Sequence, residues 1–134
     1  MNKRDQLYKE ITGPVGDFVF DERVAHVFTD MIHRSVPGYS LILEMLGVIT
    51  ANYAQPATRC YDLGCSLGAS TLAIRCRLDD MKSPDDEHYR VIAVDSSPAM
   101  IDRCRVNLAR IPSSTPTEIN CQSIQQTTIS HASL

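Results

Sequence analysis

The run Arg59-Cys60-Tyr61-Asp62-Leu63-Gly64-Cys65-Ser66-Leu67-Gly68-Ala69-Ser70-Thr71 constrains this chain more than any other. It reads as a buried strand, a tight glycine turn and the opening of a helix. Those three pieces in that order make a cradle of nucleotide size beyond the strand's end. Gly64 allows the turn backbone angles that a side chain would forbid. Gly68 lets the helix start lie close to the strand or to a ligand. The N–H groups of the first helical turn have no partner within the helix and face whatever sits in the cradle. A second apolar run, Arg90-Val91-Ile92-Ala93-Val94-Asp95, follows at the distance expected of the next parallel strand and ends in a carboxylate. A carboxylate at that tip can accept hydrogen bonds from both ribose hydroxyls of a nucleoside.

The pattern around this pair extends it into an α/β chain. Residues 1–20 read as irregular, broken by Gly13, Pro14 and Gly16. Asp21 is placed to cap a helix running to about residue 34, with Val24, Val27, Phe28, Met31 and Ile32 on one face. Pro37 opens a second helix whose stripe is Ile42, Met45, Leu46, Ile49 and Tyr53, and Pro56 ends it. Strand one is expected over 59–63, its helix over 68–78, an acidic loop over 79–88 and strand two over 89–95. Ser97-Pro98 caps a helix to about residue 111, with Ile101, Cys104, Leu108 and Ile111 inward. A turn over 112–116 leads to a third strand over 117–121, and the remainder is polar without a period. Strands in series with helical crossovers make a parallel sheet. The fold expected is therefore α/β and Rossmann-like, a parallel sheet with N-terminal helices, truncated after the third strand. Residues 1–58 form the helical segment and 59–134 a partial ligand-binding domain.

At 134 residues, with 43% hydrophobic residues and a net charge of −3, the chain suits one soluble domain. The absence of a basic block argues against direct nucleic-acid binding, which needs clustered Lys and Arg. No apolar run nears the ~20 residues of a membrane span. Met1-Asn2-Lys3-Arg4-Asp5 leads into no signal segment, so a cytoplasmic protein is expected. Cys60, Cys65, Cys76, Cys104 and Cys121 lack the close pairing of a metal site and read as reduced thiols.

The turn Gly64-Cys65-Ser66-Leu67-Gly68 is not a dinucleotide fingerprint, because Ser66 stands where the middle glycine would admit a pyrophosphate. Asp62, one residue inside the strand, is expected to aim negative charge at the cradle. That disfavours a diphosphate and favours an amino group or a sulfonium. S-adenosylmethionine carries both, and a ribose for Asp95.

The chain closely resembles the carboxy-S-adenosylmethionine synthase family of the class I methyltransferase-like superfamily. The likeness lies in Phe20-Asp21-Glu22-Arg23-Val24-Ala25, Asp30-Met31-Ile32, Arg34-Ser35-Val36-Pro37-Gly38-Tyr39, the Tyr61 to Ala69 turn, and Asp95-Ser96-Ser97-Pro98-Ala99-Met100-Ile101. It covers most of residues 17–111. The resemblance implies a synthase that takes its carboxyl group from prephenate, releases phenylpyruvate and does not donate the methyl group. The methyl carbon beside the sulfonium becomes an ylide that captures carbon dioxide. The product then serves a tRNA uridine carboxymethyltransferase acting on the wobble uridine. The resemblance also implies a homodimer, and contact with S-adenosylmethionine by Tyr39, Gly64, Cys65, Ser66, Asp95, Ser96, Ser123 and Ile124. Asp62 and Gly68 join this set from the cradle. Two positions depart from the family: Ser123 stands in place of an acidic residue, and Ile119-Asn120-Cys121-Gln122 replaces a Glu-Gly-Asp approach. No acid, base or carboxylate clamp is assigned by these motifs.

Other readings of the same residues remain open. The cradle also suits an ordinary methyltransferase of a small molecule or tRNA, or a non-catalytic fragment that binds ligand weakly; Ser66 and Asp62 disfavour a dehydrogenase. Tyr39 could simply cap the second helix's core face. Arg23 and Arg34 could meet an anionic substrate or form surface ion pairs. His26 and His33, seven residues apart, read as exposed, and His88 and His131 as without a specific role. Cys65 has no basic neighbour to activate it as a nucleophile.

Overall fold

The computed structural model describes residues 19–81 and 89–134. The irregular lead over 1–18, the stretch 82–88 of the expected acidic loop and its His88 lie outside the described residues. Helices α1 (Glu22–Ser35) and α2 (Tyr39–Tyr53) come first. They are followed by β1 (Arg59–Leu63), α3 (Ala69–Met81), β2 (Arg90–Asp95), α4 (Pro98–Ala109), β3 (Thr117–Cys121) and a 3-10 turn, Ile124–Gln126. The strands are parallel in the order β1-β2-β3. This is an α/β fold of partial Rossmann-like form.

Strand β2 lies between the other two, and its Val91, Ile92, Ala93 and Val94 are all buried. An apolar run with no alternation suits a strand covered on both faces. Helices α3 and α4 sit on the face bearing Cys60, Val91 and Ala93. Ile74 and Leu78 pack with Cys60, Tyr89 and Val91. Ile101, Cys104 and Leu108 pack with Cys65 and Ala93. Helix α1 lays Val24, Ala25 and Phe28 on Met100 of α4. Among the described residues no helix is long and apolar enough to cross a membrane.

Local chemistry sets the helix ends. Asp21 Oδ1 accepts the N–H groups of Arg23 and Val24 at 2.9 and 3.0 Å, the capping expected of it. Ser97 Oγ accepts Met100 N–H at 3.2 Å, with Pro98 in the first turn. At the other end of α4, the buried Arg75 of α3 donates to the carbonyls of Leu108 and Ile111 at 2.7 and 2.8 Å. A cation on the C-terminal carbonyls of a helix is favoured by both hydrogen bonding and the helix dipole.

Three expectations need correction. Ile42, Met45, Ile49 and Tyr53, the stripe expected to face inward on α2, are exposed, and the buried position is Thr50. The helix is apolar nearly all round (Leu41, Ile42, Leu43, Met45, Leu46, Val48, Ile49), so periodicity cannot choose its face. Thr50 can go inside because its hydroxyl donates to the Leu46 carbonyl at 2.7 Å. Helix α3 runs to Met81 rather than residue 78, taking Asp79 out of the loop. The reason is a latch: Asp79 Oδ1 accepts from Thr115 Oγ1 (2.6 Å), Thr115 N–H (3.0 Å) and Ser114 Oγ (3.1 Å) ahead of β3. Ile111 lies beyond α4 and is exposed.

The polar C-terminal stretch also has a place the sequence did not suggest. It runs along the outer edge of β1: Arg59 N–H donates to His131 O (2.8 Å), Ser133 N–H to Arg59 O (3.1 Å) and Tyr61 N–H to Leu134 O (3.0 Å). Leu134 then packs against the Cys60 cluster.

Two stability outcomes follow. Gly68 has φ +90°, and a Cβ there would meet Cys104 Sγ at 2.8 Å, whereas a Cβ at Gly64 (φ +88°) meets nothing within 4 Å. Gly68→Ala should destabilise by roughly 2–4 kcal/mol, and Gly64→Ala by about 1–2 kcal/mol, in urea unfolding. Burial raises the Asp79 carboxyl pKa, but hydrogen bonds from Ser113, Thr115 and Ser114 outweigh it and hold the group below its ordinary value. A depressed carboxyl contributes stability above its unfolded pKa and loses it as pH falls through the folded one. The stability gap between the native chain and Asp79→Asn should therefore be full at neutral pH and close in acid, below about pH 4.

Candidate functional site

The site is organised by the end of β2. Leu63 pairs with Val94, so β2 reaches one residue past β1 and sets Asp95 level with the glycine turn. Gly64 and Cys65 N–H groups both donate to Val94 O, at 2.8 and 2.9 Å. Asp95 Oδ2 accepts Ser66 N–H at 2.9 Å, and Oδ1 accepts Ser97 N–H at 2.9 Å. One carboxylate thus ties the turn after β1 to the start of α4. An ionised carboxylate has about four acceptor sites, so each oxygen keeps a lone pair for a ligand.

Ser66 has φ +50°, the left-handed region, without being glycine. Such a residue persists where its surroundings hold it, and here the Asp95 bond does so. The loop after β3 is fastened to the same tip: Gln122 N–H donates to Asp95 O at 3.0 Å. Phe20 is fastened from the other side, its carbonyl accepting Ser97 Oγ at 2.6 Å.

Between these pieces is an open hollow of about 500 Å³. Gly64, Ser66, Asp95, Ser96, Ser123 and Ile124, all named from the sequence, line it, together with Phe20 and Gln125. Gln125, in a polar stretch without a period, carried no functional signal by pattern. Phe20 opens the Phe20-to-Ala25 run that carries the family resemblance, but that run attached no role to it.

Tyr39, Asp62, Cys65 and Gly68 are not part of this lining. Asp62 Oδ2 accepts the hydroxyls of Ser70 and Thr71, both at 2.6 Å. A carboxylate braced on the first turn of α3 is favoured by the helix dipole. Tyr39 stands edge-on to His33, with ring centres 5.1 Å apart. Burial raises its hydroxyl pKa, and the charge of Asp62 raises it further. Cys65 is buried, and a thiol–thiol hydrogen bond with Cys104 and burial push its thiol pKa up. Gly68 serves the close approach of α4 through Cys104.

The remaining basic candidates are surface groups. Arg23 pairs with Asp21 at 3.1 Å and Arg34 with Asp30 at 3.4 Å. His26 and His33 are exposed as expected, and His26 Nδ1 lies 3.3 Å from Arg103.

No protein-family model matches the chain. Individual proteins do. The carboxy-S-adenosyl-L-methionine synthase of Hahella chejuensis is 59% identical over 133 residues, 99% of this chain and 53% of that protein. Those of Salmonella arizonae and Salmonella newport are each 48% identical over 134 residues, 100% of this chain and 52% of their own. The chain spans about half the length of the curated relatives it matches. It is a homologue of the carboxy-S-adenosyl-L-methionine synthases along its length.

Proposed function

We propose that the hollow binds S-adenosylmethionine, and that the protein carrying this sequence converts it with prephenate to carboxy-S-adenosylmethionine and phenylpyruvate. The observation that carries this reading is the likeness of the chain, from end to end, to proteins bearing that synthase name. The hollow supports the adenosyl part independently. Asp95 offers two oxygens with spare lone pairs to a ribose diol, and Ser96 follows it in the lining. Phe20 and Ile124, 45% and 51% exposed, offer apolar surface to a base. With Ser66 at the middle of the turn, no close backbone approach serves a pyrophosphate.

S-adenosylmethionine brings a sulfonium, which acidifies the methyl group beside it. The part of this chain is to hold and orient. Asp95 takes the ribose and Gly64 leaves the cradle floor without a side chain. Asp62 and Tyr39 supply a negative and a hydroxyl group on the elements beside the turn, suited to the cationic amino acid portion. The protein works as a homodimer in the cytoplasm. Its product passes to a tRNA uridine carboxymethyltransferase that modifies the wobble uridine. The net charge of −3 fits a chain that does not itself grip tRNA.

Incubating the protein with S-adenosylmethionine and prephenate should add the mass of one carboxylate to the adenosyl compound. Formation of S-adenosylhomocysteine with no need for prephenate would identify methyl transfer and overturn the reading. Asp95→Asn should weaken S-adenosylmethionine binding about tenfold or more in calorimetry, since it removes a charged acceptor from the ribose and sets an N–H₂ against the N–H of Ser66 or of Ser97.

A further inference from the structure

We propose that Ser97 is a positioning residue for the hollow: its hydroxyl holds the backbone of Phe20 so that the Phe20 ring walls the ligand site. The proposal rests on the adenosyl reading of the hollow and adds a residue that acts on the ligand through another.

Ser97 sits between the polar and the apolar parts of the site without being part of its lining. Its N–H donates to Asp95 Oδ1 at 2.9 Å, and its Oγ donates to the Phe20 carbonyl at 2.6 Å. The same Oγ accepts Met100 N–H at 3.2 Å, capping α4. These roles cannot be exchanged. A carbonyl oxygen only accepts and a backbone N–H only donates, so the hydroxyl hydrogen points to Phe20. The carboxylate that lines the hollow and the segment that carries its aromatic wall are therefore joined through one residue, across 77 positions of sequence.

Phe20 lines the hollow and is 45% exposed. It lies ahead of the Asp21 cap, outside α1, so the helix does not fix its backbone. Its ring stands edge-on to Phe28, centroids 6.3 Å apart. Phe28 is buried with Val24, Ala25 and Met100 where α1 meets α4. Glu22 adds an ion pair to Arg103 of α4 at 3.0 Å. These contacts seat α1 on α4 and restrain the Phe20 ring on one side. The Ser97 bond restrains the Phe20 backbone and does so beside Asp95, at the hollow itself.

An apolar wall already in place costs less to order than one that the ligand must gather. The chemistry of position 97 separates this role from helix capping. Serine and threonine can donate to a carbonyl and cap a helix at once. Glycine is tolerated at an N-cap at small cost but has no hydroxyl to donate. Ser97→Gly therefore removes the tie to Phe20 and spares most of the cap, whereas Ser97→Thr keeps both.

A double-mutant cycle read by calorimetry with S-adenosylmethionine tests the assignment, with circular dichroism confirming that each variant folds. Phe20→Ala should weaken binding about tenfold by removing the wall. Ser97→Gly should weaken it about fivefold by releasing the wall, and Ser97→Thr should stay within about twofold of the native chain. Ser97→Gly combined with Phe20→Ala should bind within about twofold of Phe20→Ala alone, because the tie has no ring left to hold. A lost cap or a general loosening would instead multiply the two losses. Multiplied losses, native affinity in Phe20→Ala or Ser97→Gly, or a loss in Ser97→Thr as large as that in Ser97→Gly overturns the proposal and leaves the adenosyl reading standing. A folded native chain that binds no S-adenosylmethionine overturns both.

Discussion

The carboxylate of Asp95 joins what would otherwise be three separate pieces of chain. One oxygen holds Ser66 N–H and the other Ser97 N–H, both at 2.9 Å. The Asp95 carbonyl meanwhile receives Gln122 N–H. The turn after β1, the start of α4 and the loop after β3 are thus gathered on one residue. Charge-assisted bonds to backbone N–H groups are stronger than neutral ones, which suits a junction of this kind. The left-handed Ser66 backbone, unfavourable alone, becomes the conformation that presents its N–H to the carboxylate. Binding geometry and fold are therefore not separate problems at this tip. The groups that would meet a nucleoside are the groups that hold the strand ends in register.

Around that junction the chain divides its labour. Gly68 and Cys104 bring α3 and α4 together, and Arg75 closes the far end of α4. Asp79 anchors the approach to β3. Asp62, which the strand pattern aims at the cradle, braces the first turn of α3 through Ser70 and Thr71 instead. Its charge still reaches Tyr39. An acidic residue can in this way shape the electrostatics beside a ligand site without lining it.

Much of this was legible in the residues. The apolar run of β2 is buried throughout and could not be confused with a half-exposed strand. The Gly64 turn, the Asp21 and Ser97 caps and the strand-ending Asp95 are local signals with local causes, and the structure places them as read; Gly68, read as lying close to the strand or a ligand, meets α4 instead. What failed to show was long-range. The inward face of α2 is hidden because nearly every position is apolar. The extra turn of α3 depends on Thr115, which lies 36 residues away in the chain. The edge pairing of Ser133 and Leu134 with β1 has no periodicity to announce it. Phe20 and Gln125 reach the hollow only because Ser97 and Asp95 draw distant segments to one point. A sequence read by motif finds the turn, the carboxylate and Ser123 and Ile124 after the third strand, but gives no role to Phe20 or Gln125 beside them.

The most direct measurement is a titration of the ¹⁵N-labelled chain with S-adenosylmethionine, followed through backbone amide resonances. If Asp95 organises one adenosyl hollow, the amides of Ser66, Ser96, Ser97 and Gln125 should move together along a single saturation curve, while those of α3's far end stay still. Saturable shifts confined to other surfaces, with these four amides unmoved, would contradict the claim.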